Sequence, residues 1–234
     1  MLALKEWSAV VHALLDGRQR VLLRKGGIGE KRFEVAAQEF LLFPTVAHSH
    51  AGRVRPEHRG LLDIAAADSA EGHLVVRAAA KVVAALPVDR PEGLEAIEDL
   101  HIWTAESVRA DRLDFRPKHK LAVLVVSVSP LMEPVRLPRA PEYAGCTSWV
   151  ELPLRPAPGP PVHDEAALTD VAARVRAAVG RQVGRAHGQQ QPGAAVAHGV
   201  GDRHGPAARE HRFAGAEIAR VPGEPAAGDQ EADV

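Results

Sequence analysis

The stretch "HLVVRAAAKVVAAL", residues 73–86, decides the fold. Its alanines suit a helix. Val75, Val76, Val82 and Val83 suit a strand, because β-branched side chains lose rotamer freedom on a helix and pack well on a pleated surface. The turn residues of "LPVDRP" close it, so the stretch is read as a strand. A second run, "KLAVLVVSVSPL" at 120–131, is the clearest strand of the chain, with a β-branched series bounded by Pro117 and Pro130.

Working outward, Leu4, Trp7, Val11, Leu14 and Leu15 recur at helical spacing, which predicts an amphipathic helix over 3–15. Gly17 is placed to end it in the left-handed conformation. "RQRVLLR", residues 18–24, predicts a strand with Val21 and Leu23 on one face and Arg20, Leu22 and Arg24 on the other. "RFEV" and "EFLLFPT" predict two more short strands, and the unbroken run Phe40–Phe43 predicts burial on both faces. "RPEHRGLLDIAAADS", "RPEGLEAIEDL" and "TAESVRADRL" predict short helices, the last capped by Thr104. "TSWVEL" closes the strand set, and Leu168, Val171, Val175 and Val179 predict a final helix over 164–179. Helices and strands are interspersed without regular alternation, so the fold class is α+β, with a mixed sheet or small barrel and flanking helices.

The 234 residues suit one domain plus an appendage. Residues 1–183 are expected to form a single α+β domain. Beyond them Gly, Ala, Gln, His and Pro dominate, with Phe213 the sole aromatic, which predicts a disordered tail over 184–234. His187, His198, His204 and His211 lie there without ligand spacing. With a net charge of −1, the chain as a whole gives no electrostatic case for nucleic acid or membrane. No apolar run reaches the roughly 18 residues that span a bilayer, and a single cysteine, Cys146, fits a reducing, cytoplasmic location.

Locally the balance differs. The first sixty residues hold ten Lys+Arg against six Asp+Glu. Arg18, Arg20, Arg24 and Lys25 sit on or beside one strand that ends at Gly26 and Gly27, a turn able to expose backbone N–H groups to an anion. Arg53, Arg55 and Arg59 are part of that excess, and Trp103 or Trp149 could stack on a base. The alternative is a polar edge strand entering a glycine hairpin, with Ile102 and Trp103 packed into the core at a helix end.

Other motifs carry less. "GGIGEK" lacks the spacing and the Ser or Thr of a phosphate loop. His48, His50 and His58 cluster without a cysteine, so no metal or other cofactor is expected. Glu98 and Asp99 precede His101, where an acid could orient the imidazole. Cys146 could be a nucleophile paired with a remote histidine, although no G-x-S-x-G elbow accompanies it. No acid-x-lysine dyad supports a metal-dependent nuclease within the chain.

Taken in order, "ALKEW", "ALLDGRQRVLLRKGGI", "EFLLFPT", "LHIWT" and "EYAGCTSWVEL" resemble the bacterial and archaeal domain of unknown function 1802 family over roughly residues 3–180. The resemblance implies no particular activity. Some members occur with an Mrr-like restriction endonuclease domain, which implies a link to restriction–modification and an endonuclease as partner. Separately, a helix ending at glycine before a basic strand resembles the entry to PUA-like and ASCH-type barrels, which bind RNA or modified bases. The expectation is therefore a non-enzymatic module that binds DNA or RNA through Arg18, Arg20, Arg24, Lys25, Gly26 and Gly27, with Trp103 and Trp149 stacking. The alternatives are a hydrolase or nuclease-partner subunit using Cys146, or a plain scaffold.

Overall fold

The ambiguous stretch is a strand, and it is central. In the computed structural model, which describes residues 1–26, 32–46, 51–69, 72–145 and 147–181, His73–Pro87 forms a 15-residue strand. Its alternate residues Leu74, Val76, Ala78 and Ala80 are buried, a period of two that no helix could satisfy.

In chain order the strands are β1 (Leu2–Trp7), β2 (Val21–Lys25), β3 (Glu39–Thr45), β4 (His73–Pro87), β5 (Leu121–Pro138) and β6 (Trp149–Glu151). They form one six-stranded sheet in the order β2-β5-β4-β3-β1-β6. β1 and β3 run parallel, and every other neighbouring pair is antiparallel. The sheet is thus mixed, and α+β is the class found. Its ladder leaves β2 and β6 at the two edges.

The α-helices are α1 (Ser8–Leu15), α2 (Gly60–Ala66), α3 (Ala105–Val108) and α4 (Glu165–Val179). Tighter or wider helical turns cover Pro56–His58, Ala67–Ser69, Pro91–Leu100, Arg109–Asp114 and Pro141–Tyr143. α1 packs on α2, and α4 on the Pro91–Leu100 turns and on β4 and β5. The larger core lies on this helical face of the sheet and includes Leu4, Phe40, Leu42, Ile97, Leu124 and Val175. A smaller core on the opposite face holds Ala3, Leu41, Phe43, Leu74, Val76 and Leu152. Phe40–Phe43 feed both cores alternately, which explains their continuous hydrophobicity.

Three local expectations are corrected. Residues 3–7 are strand, not the start of a helix. Ala3 and Leu4 are both fully buried, on opposite faces, and pairing with β3 and β6 outweighs the helical spacing. "RFEV" adds only a bridge from Arg32 to Lys120, while Phe33 and Val35 still pack on the core. β5 does not stop at Pro130. It pairs with β2 over Leu121–Val125, and beyond that the same edge takes a bridge from Leu131 to Pro158 and bonds with Ala157, Gly159 and Val162. Pro130 offers only its carbonyl there, to the Gly159 N–H at 2.7 Å, and adjoins a bulge, where proline is tolerated. Opposite Arg77 the ladder skips from Pro130 to Val135, a bulge that turns Leu74 and Val76 to the smaller core and Ala78 and Ala80 to the larger one.

The predicted helix ends hold. Gly17 has φ +73°, and the Thr104 hydroxyl accepts from the Ser107 N–H at 3.1 Å. Asp164, where the final helix was expected to begin, is its cap and accepts from the Ala167 N–H at 2.7 Å. No helix among the described residues is long and apolar enough to cross a membrane. The expected tail over 184–234, Gly27, His48, His50 and Cys146 lie outside the described residues.

Candidate anion-binding site

Arg24 and Lys25, at the end of β2, turn to internal partners. Arg24 Nη1 donates to the Glu6 carboxylate at 3.2 Å and to the Lys5 carbonyl at 3.1 Å, and its guanidinium lies 5.0 Å from the Phe33 ring centroid. Glu6 is only 4% exposed, so its charge needs that partner. Lys25 Nζ donates to the carbonyls of Arg112 at 2.8 Å, Leu113 at 3.4 Å and Phe115. These are acceptors at the end of the Arg109–Asp114 turn, and an ammonium is a natural cap for them. Burial pushes the Lys25 amine below its ordinary value. Arg112 adds to this and Asp114 opposes it. Gly26 is buried, and its carbonyl lies 3.2 Å from His119 Nδ1.

The indoles are also inside. Trp103 is 6% exposed and meets Trp7 edge-on at 4.6 Å. Trp149 is half-buried, stacked on Phe33 at 6.0 Å and edge-on to Phe40 at 5.1 Å, and its Nε1–H donates to the Glu34 carbonyl at 3.2 Å. Arg24, Lys25, Gly26, Trp103 and Trp149 thus join β1, β2 and the Arg109–Asp114 turn into one body.

The other two predicted cations sit differently. Arg18 and Arg20 flank the exit of the α1–β2 turn, whose left-handed Gly17 lets His163 approach closely. A Cβ at Gly17 would stand 3.2 Å from the imidazole Cε1. Arg18 is exposed and has a loose pair with Asp16 at 3.6 Å. Arg20 makes no ion pair among the described residues. Across from this turn, Arg55 donates to the Glu98 carbonyl at 2.8 Å, pairs with Glu57 at 3.1 Å and touches His58 Nε2 at 3.0 Å. Arg59 is exposed, and its side chain donates to the Val54 carbonyl at 3.3 Å. Arg53 is taken by Asp111 at 3.0 Å and lies 5.8 Å over Trp7.

These groups act on one another. Burial pushes the His58 imidazole below its ordinary value, Arg55 pushes it further, Glu57 opposes, and Arg18 again lowers it. His163 is lowered by burial and then by Arg20, against a Gly17 backbone bond and Asp164. His58 Nδ1 and His163 Nε2 are both buried without a hydrogen-bond partner among the described residues. Arg18 and Arg55 thus act on His58 and Arg20 on His163, and each ring carries one such nitrogen.

A second polar cluster was not read in the sequence. Asp68 is fully buried in its turn after α2. One carboxylate oxygen accepts from the Ser8 hydroxyl at 2.6 Å and meets His12 Nε2 at 2.7 Å, and the other accepts from Arg77 Nε at 2.6 Å. The serine is on the carboxylate rather than on the histidine, so no nucleophile is activated there. The cluster ties α1 to β4. No pattern around "AAADSA" signals it, because its partners come from three separate segments. Among the described residues no group of three or more His, Cys, Asp or Glu could hold a metal ion.

No curated protein and no solved structure matches the chain. A family model does match, over residues 3–174, from β1 into α4 and so across every element that positions the turn, the cations and the imidazoles just described. The chain belongs to the family described as Domain of unknown function (DUF1802).

Proposed function

We propose that the chain is a non-enzymatic module that binds the phosphate backbone of nucleic acid through the face around the α1–β2 turn. The observation that supports it is the pair of buried imidazole nitrogens, His58 Nδ1 and His163 Nε2, without partners among the described residues, beside Arg18, Arg20 and Arg55. Buried polar atoms are almost always satisfied. Of the four exceptions among the described residues, Arg24 Nε lies at the enclosed end of β2. The other three, Arg55 Nε, His58 Nδ1 and His163 Nε2, lie in this cationic neighbourhood and argue for an acceptor supplied from outside. A phosphate oxygen is such an acceptor, and its charge suits the arginines. Arg20 and Arg59, without ion pairs among the described residues, would extend the contact along a backbone. Base stacking has no part in this reading, since both candidate indoles are packed. The endonuclease that the family resemblance implies would be a separate chain acting on nucleic acid held here.

The test is anisotropy of a labelled duplex, and of one of its strands, across a salt series. Arg18→Ala with Arg20→Ala should weaken binding and flatten the log–log salt slope by roughly 1.8 for the duplex, at about 0.9 per lost phosphate contact. Absence of binding at low salt, or an unchanged slope in the double variant, overturns the proposal and leaves an interaction scaffold.

A further inference from the structure

A cleft of about 460 Å³ lies between the Pro91–Leu100 turns on one side and α3 with the Arg109–Asp114 turn on the other. That volume is in the range of small-molecule sites. Its walls follow from the periodicity of the first segment. A 3₁₀ helix has three residues per turn, so positions three apart lie one above another. The first turns run to a kink at Ile97 (φ −123°) and set Glu92 and Glu95 on the exposed side with Leu94 buried. Past the kink Leu100 is buried and Glu98 exposed, so the three glutamates all edge the cleft. Asp114 joins them from the opposite wall, against a single cation, Arg109. Leu94, Val108 and Leu113 supply an apolar lining.

The acids alone would be a solvated face. The second observation is His101, which also lines the cleft and is 2% exposed. Its Nδ1 accepts the Trp103 N–H at 3.3 Å, so in the neutral ring Nε2 carries the proton. That N–H has no hydrogen-bond partner among the described residues. Asp99, which the sequence offered as its orienting acid, is instead held by Arg174, with 2.8 Å between Nη1 and Oδ2. Burial, then Arg55, push the imidazole down to about 4, so near neutrality it is a donor and not a second cation.

We infer that this cleft binds a small organic cation with an apolar body, its ammonium or guanidinium among Glu92, Glu95 and Glu98 and a hydrogen-bond acceptor on His101 Nε2–H. The acidic row repels itself when empty and is relieved by one positive charge. The Nε2–H, which no described residue accepts, gains an acceptor inside the cleft. An anion is disfavoured by four carboxylates facing one arginine, and a purely apolar ligand would leave the imidazole unsatisfied. The site shares none of its lining residues with the proposed phosphate face, so the two stand or fall separately.

The experiment uses the full chain and N-(4-aminobutyl)acetamide, which carries an ammonium, a four-carbon body and an amide acceptor. N-butylacetamide, the same molecule without the charge, is the control. Titration followed by NMR should show saturable binding of the amine, with the His101 ring Nε2–H signal moving and the control binding more weakly. Glu95→Gln with Glu98→Gln, both exposed and harmless to packing, should weaken the amine about five- to tenfold, as two largely exposed charge pairs would. His101→Phe should weaken it too, with its circular dichroism checked against the parent. Three results each overturn the inference: no saturation up to about 10 mM, where affinity is already below any specific use; equal binding of the neutral control; or undiminished affinity in the double glutamine variant.

Discussion

Two groups of cations lie within eight residues of each other, and they are in opposite situations. Arg24 and Lys25 are enclosed, the first on a buried carboxylate and the second on three carbonyls at a turn end. Arg18 and Arg20 stand at the α1–β2 turn with one loose acidic contact between them, and their charge acts on His58 and His163. The same residue types are thus structural at the end of β2 and available at its beginning. Burial of the partner separates them. Glu6 lies on an interior strand and commits Arg24, whereas Asp16 lies in an exposed turn and commits Arg18 weakly.

The largest expected effect tests the enclosed group. Arg24→Ala would leave the Glu6 carboxylate buried without its ion-pair partner and with only the more distant Arg112 charge acting on it, a loss toward the lower end of about 3–5 kcal/mol. Urea unfolding should show a lower midpoint with an unchanged slope. Adding Glu6→Gln should recover a substantial part, because the penalty belongs to the stranded charge. A loss below about 1 kcal/mol, as for an exposed pair, would mean that Arg24 is no more committed than Arg18, and the contrast would be broken.

The sequence carried the fold further than the site, for a physical reason. Secondary structure rests on local signals, and the β-branched Val75, Val76, Val82 and Val83 with the closing turn residues mark β4 as a strand, although the alternate burial of Leu74, Val76, Ala78 and Ala80 appears only in the fold. The cap Thr104 and the left-handed Gly17 are visible in the chain itself. Local signals failed where pairing partners decide. Residues 3–7 carry a helical spacing, yet β3 and β6 hold them extended. Pro130 reads as a stop, yet β5 runs through it beside a bulge, with the Pro130 carbonyl accepting from the distant Gly159 N–H. For the site, the cations were legible and their partners were not. Glu6 meets Arg24 only because of the sheet order, and Lys25 meets carbonyls from a turn far along the chain, beginning with Arg112. His163 reaches Gly17 from just before α4, with no motif to announce it.

Acid sharpens the comparison, because the imidazoles pushed toward their neutral form lie at the available face and its neighbouring cleft. His101 is held at about 4 against an ordinary 6.5, by burial and then by Arg55. Between those values the unfolded chain carries a proton that the folded chain refuses, so stability falls as pH drops through that window, by roughly 3 kcal/mol at its lower end. His58 and His163 are lowered as well and act in the same direction. Asp68 acts elsewhere. Burial pushes it up, but the bonds from His12, Ser8 and Arg77 outweigh that and hold it below 3.8, so its contribution is lost only at more acidic pH. Urea midpoints between pH 7 and 4 should therefore decline in the parent and decline less in His101→Phe. Equal slopes would mean that His101 titrates freely in the folded chain. An anion bound at the face would favour the charged imidazoles, so nucleic-acid affinity should tighten over the same acidification while stability falls.

The smallest effect is the most diagnostic. Arg18→Ala with Arg20→Ala should change stability by no more than about 0.5 kcal/mol, as is usual for surface substitutions away from buried partners. Arg18 loses only a 3.6 Å contact between half-exposed groups. Arg20 loses no ion pair among the described residues, and His58 and His163 are relieved of two nearby positive charges. Small losses and small gains therefore offset. A melting temperature within a degree or two of the parent, beside a flattened salt slope in the duplex assay, would assign these arginines to a ligand and not to the fold. A loss of about 2 kcal/mol or more would place them with Arg24 as internal braces, since a free surface cation has no route to an effect of that size.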